Sequence, residues 1–326
     1  MLRALEEHYG LRLAGEAVDL GGGSSLNLLV TGDRRYVVRV HRPHVTAERL
    51  GAMHQVRRAL LAGGVPCAPP VATLRGETWV RLGERLLEVE AAVEHDAVMD
   101  SWERLEVGLP LLGRLHSVLA PLEVGAAGER PLFANHIEPG EMVAATLRAT
   151  ARIRGWAPTA QEERLAGAAE ELARGLAPAE LGARLPRQLV HGDFWDNNVL
   201  FREGRIVLVA DLDFMGRRAR IDDLALTLHF ATFTLGGGEA QPDAARLRGL
   251  VQRYDRALDG PLSAAERAAL PLALARQPLW SIGGWVARLD DEAAARRHLA
   301  GTAAELEAGL GILATLGRWR DAFAAP

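Results

Sequence analysis

Short apolar–polar alternations fill the first quarter of the chain, and long stretches of helical spacing fill the rest. Two-residue periodicity predicts strands over 16–20, 26–30, 35–40, 79–82 and 85–93, with turns at Gly32-Asp33 and Gly83-Glu84. One helix interrupts them at 46–61, where Leu50, Met53, Val56 and Leu60 recur at helical spacing. From about residue 94 helices dominate, over 105–119, 138–154, 160–176 and 220–235, and 244–316 reads as a helical bundle. Between them lies a polar loop (191–198) flanked by apolar, strand-like segments. The turn 202–205 follows, and then a β-branched run over 206–210. The pattern predicts an α+β chain with a small β-rich lobe (1–93) and a larger, mostly helical lobe (94–326). There is no internal repeat, and 127–131 and 236–238 read as surface loops rather than domain boundaries.

Composition narrows the partners. The 326 residues are 48% hydrophobic, enough for one large domain or two lobes sharing a cleft. A net charge of −4 with interspersed signs argues against a nucleic-acid polymer or an anionic membrane as partner. A single cysteine, Cys67, excludes an intrachain disulfide framework and a cysteine metal cluster. The first residues are acidic and helical in pattern, unlike a signal peptide, and no apolar run is long enough to span a bilayer. A cytoplasmic location is the expectation. All 38 basic positions are arginine, so any task that needs a lysine-like cation falls to arginine.

The candidate chemistry sits in His191-Gly192-Asp193-Phe194-Trp195-Asp196-Asn197-Asn198, followed by Asp211 at the end of the β-branched run. The hairpin brings Asp193, Asn198 and Asp211 to one end, at the mouth of a cleft. Taken singly, Asp193 reads as a loop aspartate bonding its own backbone, Asn198 as a turn amide and Asp211 as a strand-end cap. Together they match what phosphoryl transfer needs: a carboxylate to accept a hydroxyl proton, and hard oxygens to hold magnesium on phosphates.

The order His-x-Asp-x-x-x-x-Asn, then a strand, then Asp resembles the catalytic signature of the aminoglycoside phosphotransferase family. That family includes choline and homoserine kinases and shares a fold with protein kinases. The tract Ile221-Asp222-Asp223-Leu224-Ala225 resembles the family's acidic helix start, and the likeness is strongest from 187 to 226. The resemblance implies a bilobal protein-kinase-like fold and a phosphotransferase using ATP and Mg2+ on a small-molecule hydroxyl acceptor. It implies Asp193 as the base and Asn198 and Asp211 as metal ligands. His191 and Asp223 would support the loop, Asp196 and Asn197 would be turn residues, and His116 would pack. Asp213 is left between a carboxylate behind the metal ligands and an exposed group.

The glycine-rich turn at 21–25 reads alone as a flexible hairpin turn. Beside this signature it resembles the family's nucleotide loop, with Gly22, Gly23, Ser24 and Ser25 offering donors to phosphate oxygens. Arg39 falls where the family places a strand cation over the phosphates, with Arg42 as a rival. Protein kinases pair that cation with a helix glutamate. Here the helix carries Met53 and Gln55 in its middle and Glu48 near its start, so the partner is misplaced or missing.

For the acceptor, Asp255 with Asp259 and the run Asp290-Asp291-Glu292 are candidate acidic patches. The run reads equally as a helix start. Trp280 and Trp285 read as pocket walls or core, and Arg276 and Arg288 as carboxylate partners. The 196–201 tract and the late tryptophan-containing helix resemble homoserine-kinase-type members. Two other readings stand beside the small-molecule kinase. One is a compact bacterial protein kinase, disfavoured by the short span between Asp211 and Asp223. The other is a catalytically silent nucleotide-binding regulatory protein.

Overall fold

The computed structural model describes residues 2–21, 25–131, 136–180, 185–236 and 242–324. A short helix α1 (Leu2–Tyr9) precedes an antiparallel meander of β1 (Ala14–Asp19), β2 (Leu26–Thr31) and β3 (Arg35–Val40). Helix α2 (Ala47–Ala62) leaves the sheet. A hairpin of β4 (Val80–Leu82) and β5 (Arg85–Ala91) returns to it, giving the order β1-β2-β3-β5-β4. Alternation selects the buried face: Leu28, Val30, Tyr36, Val38, Val40, Leu87 and Val89 pack with Leu5 and Tyr9 of α1.

Helix α2 begins at Thr46, whose hydroxyl caps the Arg49 N–H at 3.2 Å. Its apolar residues Leu50, Met53, Val56 and Leu60 are fully buried, yet they do not join the sheet's core. They pack into the larger core of the helical lobe. The helix therefore bridges the two parts.

The larger lobe starts with β6 (Ala97–Met99), α3 (Trp102–Leu119) and α4 (Gly125–Glu129), then α5 (Met142–Gly155) and α6 (Ala160–Glu180). Next come β7 (Gln188–Val190), β8 (Asp196–Arg202), β9 (Arg205–Val209) and β10 (Gly216–Arg218), arranged as a β6-β8-β9 sheet and a β7-β10 pair. Glu203 and Gly204, both at positive φ (52° and 74°), make the two-residue turn between β8 and β9. The bundle follows: α7 (Arg220–Leu235), α8 (Ala244–Arg256), α9 (Ala264–Ala275), α10 (Gln277–Trp280), α11 (Glu292–Gly301), α12 (Ala303–Ala314) and α13 (Leu316–Ala324).

The expected α+β plan, with a small β-rich and a larger helical part, is the plan observed. Local differences have local causes. The helix expected from 138 starts at Met142, because Pro139–Glu141 forms a 3-10 turn first. Part of the expected loop 127–131 belongs to α4. Strands β6 and β10 are three residues each, too short to leave a periodic trace. They exist because β8 and β7 offer them a ladder. Among the described residues, no helix is long and apolar enough to cross a membrane.

Candidate active site

The loop before β8 is held from beneath. Asp223, fully buried in the first turn of α7, accepts the His191 N–H on Oδ2 (3.0 Å) and the Gly192 N–H on Oδ1 (2.9 Å). His116 Nε2, from α3, also lies 3.0 Å from Oδ2, and its Nδ1 is 2.7 Å from the Tyr254 hydroxyl. Burial works against the Asp223 charge. The hydrogen bond from His116 and the cation of Arg218 outweigh it and hold the carboxyl below its ordinary range. Asp223 thus supports the loop as expected, whereas His116 is a hydrogen-bonded strut rather than mere packing.

His191 spaces the loop from β9. Its Nδ1 accepts the Asp193 N–H at 3.2 Å, which leaves Nε2 to donate to the Ala210 carbonyl at 2.9 Å. Burial lowers its pKa, so the ring stays neutral in this role. Gly192 is obligatory. Its φ is +87°, and a Cβ there would lie 2.1 Å from the Phe214 carbonyl and from Arg218 Nη2.

Strand pairing then sets the remaining positions. Val199 faces Val209, and the Ala210 N–H reaches the Asn198 carbonyl at 2.8 Å, so Asn198 and Asp211 end side by side. The Asn198 amide donates to both Asp193 Oδ2 and the Asp193 carbonyl, each at 2.9 Å. Asp211 adopts left-handed backbone (φ 58°), and its Oδ1 accepts the Asp213 N–H at 3.1 Å. Arg39 Nη2 lies 3.0 Å from Asp211 Oδ2 and 4.0 Å from Asp213 Oδ2, while its Nε bonds Asn27. Burial opposes the Arg39 charge, but Asp211, Asp213, Glu90 and Glu88 keep it firmly protonated. Arg42, the rival, is exposed. Asp213 is buried and 3.3 Å from the Ser25 hydroxyl, so it is no exposed group.

Asp193 is the electrostatically tense member. Burial and the nearby charge of Asp211 push its carboxyl up to about 7, against the relief given by the Asn198 amide. Asp193 and Asp211, two carboxylates close enough to repel and only partly relieved by Asn198 and Arg39, form a hard-oxygen cluster that could hold a divalent cation. Among the described residues no three His, Cys, Asp or Glu side chains form a complete cage.

Among the described residues Arg39 pairs with Asp211 and Asp213 and with no helix glutamate, and the helix–sheet ion pair runs the other way. Glu88 of β5 is fully buried and receives Arg57 of α2 at 2.9 and 3.0 Å, with His41 at 3.1 Å and His54 at 2.7 Å. The helix thus supplies the cation and the sheet supplies the acid. Sequence reasoning missed the buried charges Glu88, Arg49 and Arg218; the partners of Glu88 and most of those of Arg49 are distant in the chain, while Arg218 bonds the Phe214 carbonyl four residues away. Gly22, Gly23 and Ser24 lie outside the described residues. Of the acceptor candidates, Asp255 is buried against Arg267 and the Leu262 N–H, and Asp291 caps α11. Arg276 pairs with Asp222, and Trp280 is core, 2% exposed.

Residues 17–265 match the model of a family described as the phosphotransferase enzyme family. The homoserine kinase of Phenylobacterium zucineum is 29% identical over 276 residues, covering 81% of this chain and 76% of that one. The homoserine kinase of Caulobacter vibrioides is 28% identical over 287 residues, covering 83% and 81%. In fold, the chain is similar to a microcompartment-associated aminopropanol kinase (TM-score 0.69, 18% identity, 97% of both chains). It is also similar to the amicoumacin kinase hAmiN solved with AMP-PNP and Ca2+ (TM-score 0.68, 15% identity, 99% and 92%). With its protein-kinase-like α+β fold and a family match running from β1 into α9, this chain belongs to the phosphotransferase enzyme family and is a small-molecule kinase.

Proposed function

We propose that this chain transfers the γ-phosphate of ATP, held with Mg2+, to the hydroxyl of a small molecule, and that homoserine-like amino alcohols are the first acceptors to test. One observation carries the reading: Asp193, Asn198 and Asp211 converge at one end of the β8–β9 hairpin, with Arg39 on Asp211. In this reading residues 1–93 hold the nucleotide and residues 94–326 supply the catalytic loop and the acceptor site. The homoserine preference rests on the curated relatives at 25–29% identity.

Asp193 orients the acceptor hydroxyl and takes its proton as the oxygen attacks. Its raised pKa suits it to hold that proton near neutral pH. Asn198 and Asp211 would hold magnesium, which would supply positive charge against the phosphates. Arg39 offers a fixed cation to the phosphates in place of lysine, and Ser25, with the preceding glycine turn, offers donors to them. His191 and Asp223 keep Asp193 on its mark.

The test is magnesium-dependent ATP consumption by the purified chain across homoserine, amino alcohols, choline, aminoglycosides, simple sugars and a generic protein. Selective turnover of one small hydroxyl acceptor, lost in Asp193→Ala with nucleotide binding retained, is the expected result. Phosphorylation of the protein alone, or turnover that survives Asp193→Ala, would overturn the reading.

A further inference from the structure

We infer that Arg49 is a positioning residue that ties α2 to the loop bearing Asp211 and Asp213 and thereby sets the geometry of the magnesium–nucleotide site. The inference rests on Asp211 being a metal ligand, as proposed above. Arg49 lies in the first turn of α2 and is 2% exposed, but it pairs with no carboxylate among the described residues. Its guanidinium is spent on backbone carbonyls. Nη1 reaches those of Ala127 (3.1 Å), Gly128 (2.9 Å) and Arg130 (3.0 Å), while Nη2 reaches those of Asp213 (2.9 Å) and Met215 (2.6 Å).

The neighbouring carbonyl, that of Phe214, is taken by Arg218 Nη2 at 3.0 Å. Three successive carbonyls, 213 to 215, are therefore held by two buried guanidiniums, one from α2 and one from β10. The same loop is gripped through its side chains by Arg39 on Asp211 and by Ser25 on Asp213. Every one of these grips acts within four residues of Asp211, which itself sits in strained left-handed backbone. Strained backbone persists only where its surroundings over-determine it, and Arg49 supplies two of the bonds that do so.

The support behind Arg49 is rigid. Thr46 caps its helix, the apolar face of α2 is embedded in the core of the helical lobe, and α4 packs against α2. A Cβ on Gly128 would come within 2.6 Å of the Ala52 Cβ. Burial lowers the Arg49 pKa to about 10, still well above neutral, so the clamp stays charged in use. A lysine cannot replace it, because one ammonium has three donors and cannot span both sets of carbonyls.

A strut that merely stabilised the fold would lower the melting temperature and leave metal-dependent binding intact. The discriminating readout is therefore the magnesium enhancement of nucleotide affinity. It is measured by titrating a fluorescent ATP analogue into the full chain with MgCl2 and with EDTA. Wild type, R49A, R49K and D211N are compared, each with a thermal melt. R49A and R49K should each lose at least about tenfold of the enhancement, the equivalent of one charge-assisted hydrogen bond, while affinity in EDTA changes little. Methylguanidinium, which fits the space vacated in R49A, should restore the enhancement there but not in R49K. If R49A does not fold, R49K alone decides the matter.

Retained enhancement in folded R49A or R49K, or an equal loss in MgCl2 and EDTA, overturns the role of Arg49. Retained enhancement in D211N overturns the metal assignment itself, and this inference falls with it.

Discussion

Asp193 offers a sharp quantitative test because its carboxyl stands at about 7 in the folded chain against an ordinary 3.8. Burial is the main cause and the charge of Asp211 the second. The folded state keeps a proton that the unfolded chain has released, so stability is highest below 3.8 and falls as pH rises towards 7. At about 1.4 kcal/mol per unit, the full shift amounts to roughly 4 kcal/mol, an upper figure for a side chain that keeps some contact with solvent. Between about pH 5 and pH 8 the penalty would be about 2–3 kcal/mol. Urea unfolding in metal-free buffer at several pH values measures it, with D193N as the reference that cannot titrate. Wild type should lose stability relative to D193N across this window and level off above 7. D211N removes the second cause and should make the curve level off at lower pH with a smaller total loss. Parallel stability curves for wild type and D193N would refute the electrostatic account of this site.

Other consequences are checked more simply. Gly192→Ala forces a Cβ onto the Phe214 carbonyl at positive φ and should cost about 3 kcal/mol or more by urea unfolding, a loss that a neutral substitution would not show. Asp223→Asn strips the charge that gathers two loop N–H groups and His116. It should lower turnover with the best acceptor by about tenfold or more while the chain remains folded, and unchanged turnover would remove Asp223 from the supporting role. Glu88→Gln removes the nearer counter-charge of buried Arg57 and should destabilise by about 3–5 kcal/mol in thermal or urea melts. A shift below about 1 kcal/mol would mean that water or Glu90 compensates Arg57.

Periodicity alone was enough for most of the scaffold. Strand β3 and helix α7 run where alternation and helical spacing put them, and the β8–β9 turn follows from Glu203-Gly204. These are local properties: side chains two apart on a strand, or three and four apart on a helix, choose the buried face wherever the element ends up. The loop residues Asp193, Asn198 and Asp211 were legible for a related reason, since one hairpin carries all three and pairing register brings its ends together.

Long-range charge pairing left no such trace. Nothing near Glu88 in the chain announces that Arg57, His41 and His54 converge on it, and nothing near Arg49 announces five carbonyls drawn from 127 to 215. That the helix glutamate is misplaced or missing was visible, but not that the helix carries a cation, Arg57, paired to the sheet carboxylate Glu88. Strands β6 and β10, the joining of α2 to the helical lobe, and the raised pKa of Asp193 likewise depend on what each segment meets after collapse. A buried charge must find a partner wherever the fold brings one, and burial depends on every segment packed around it.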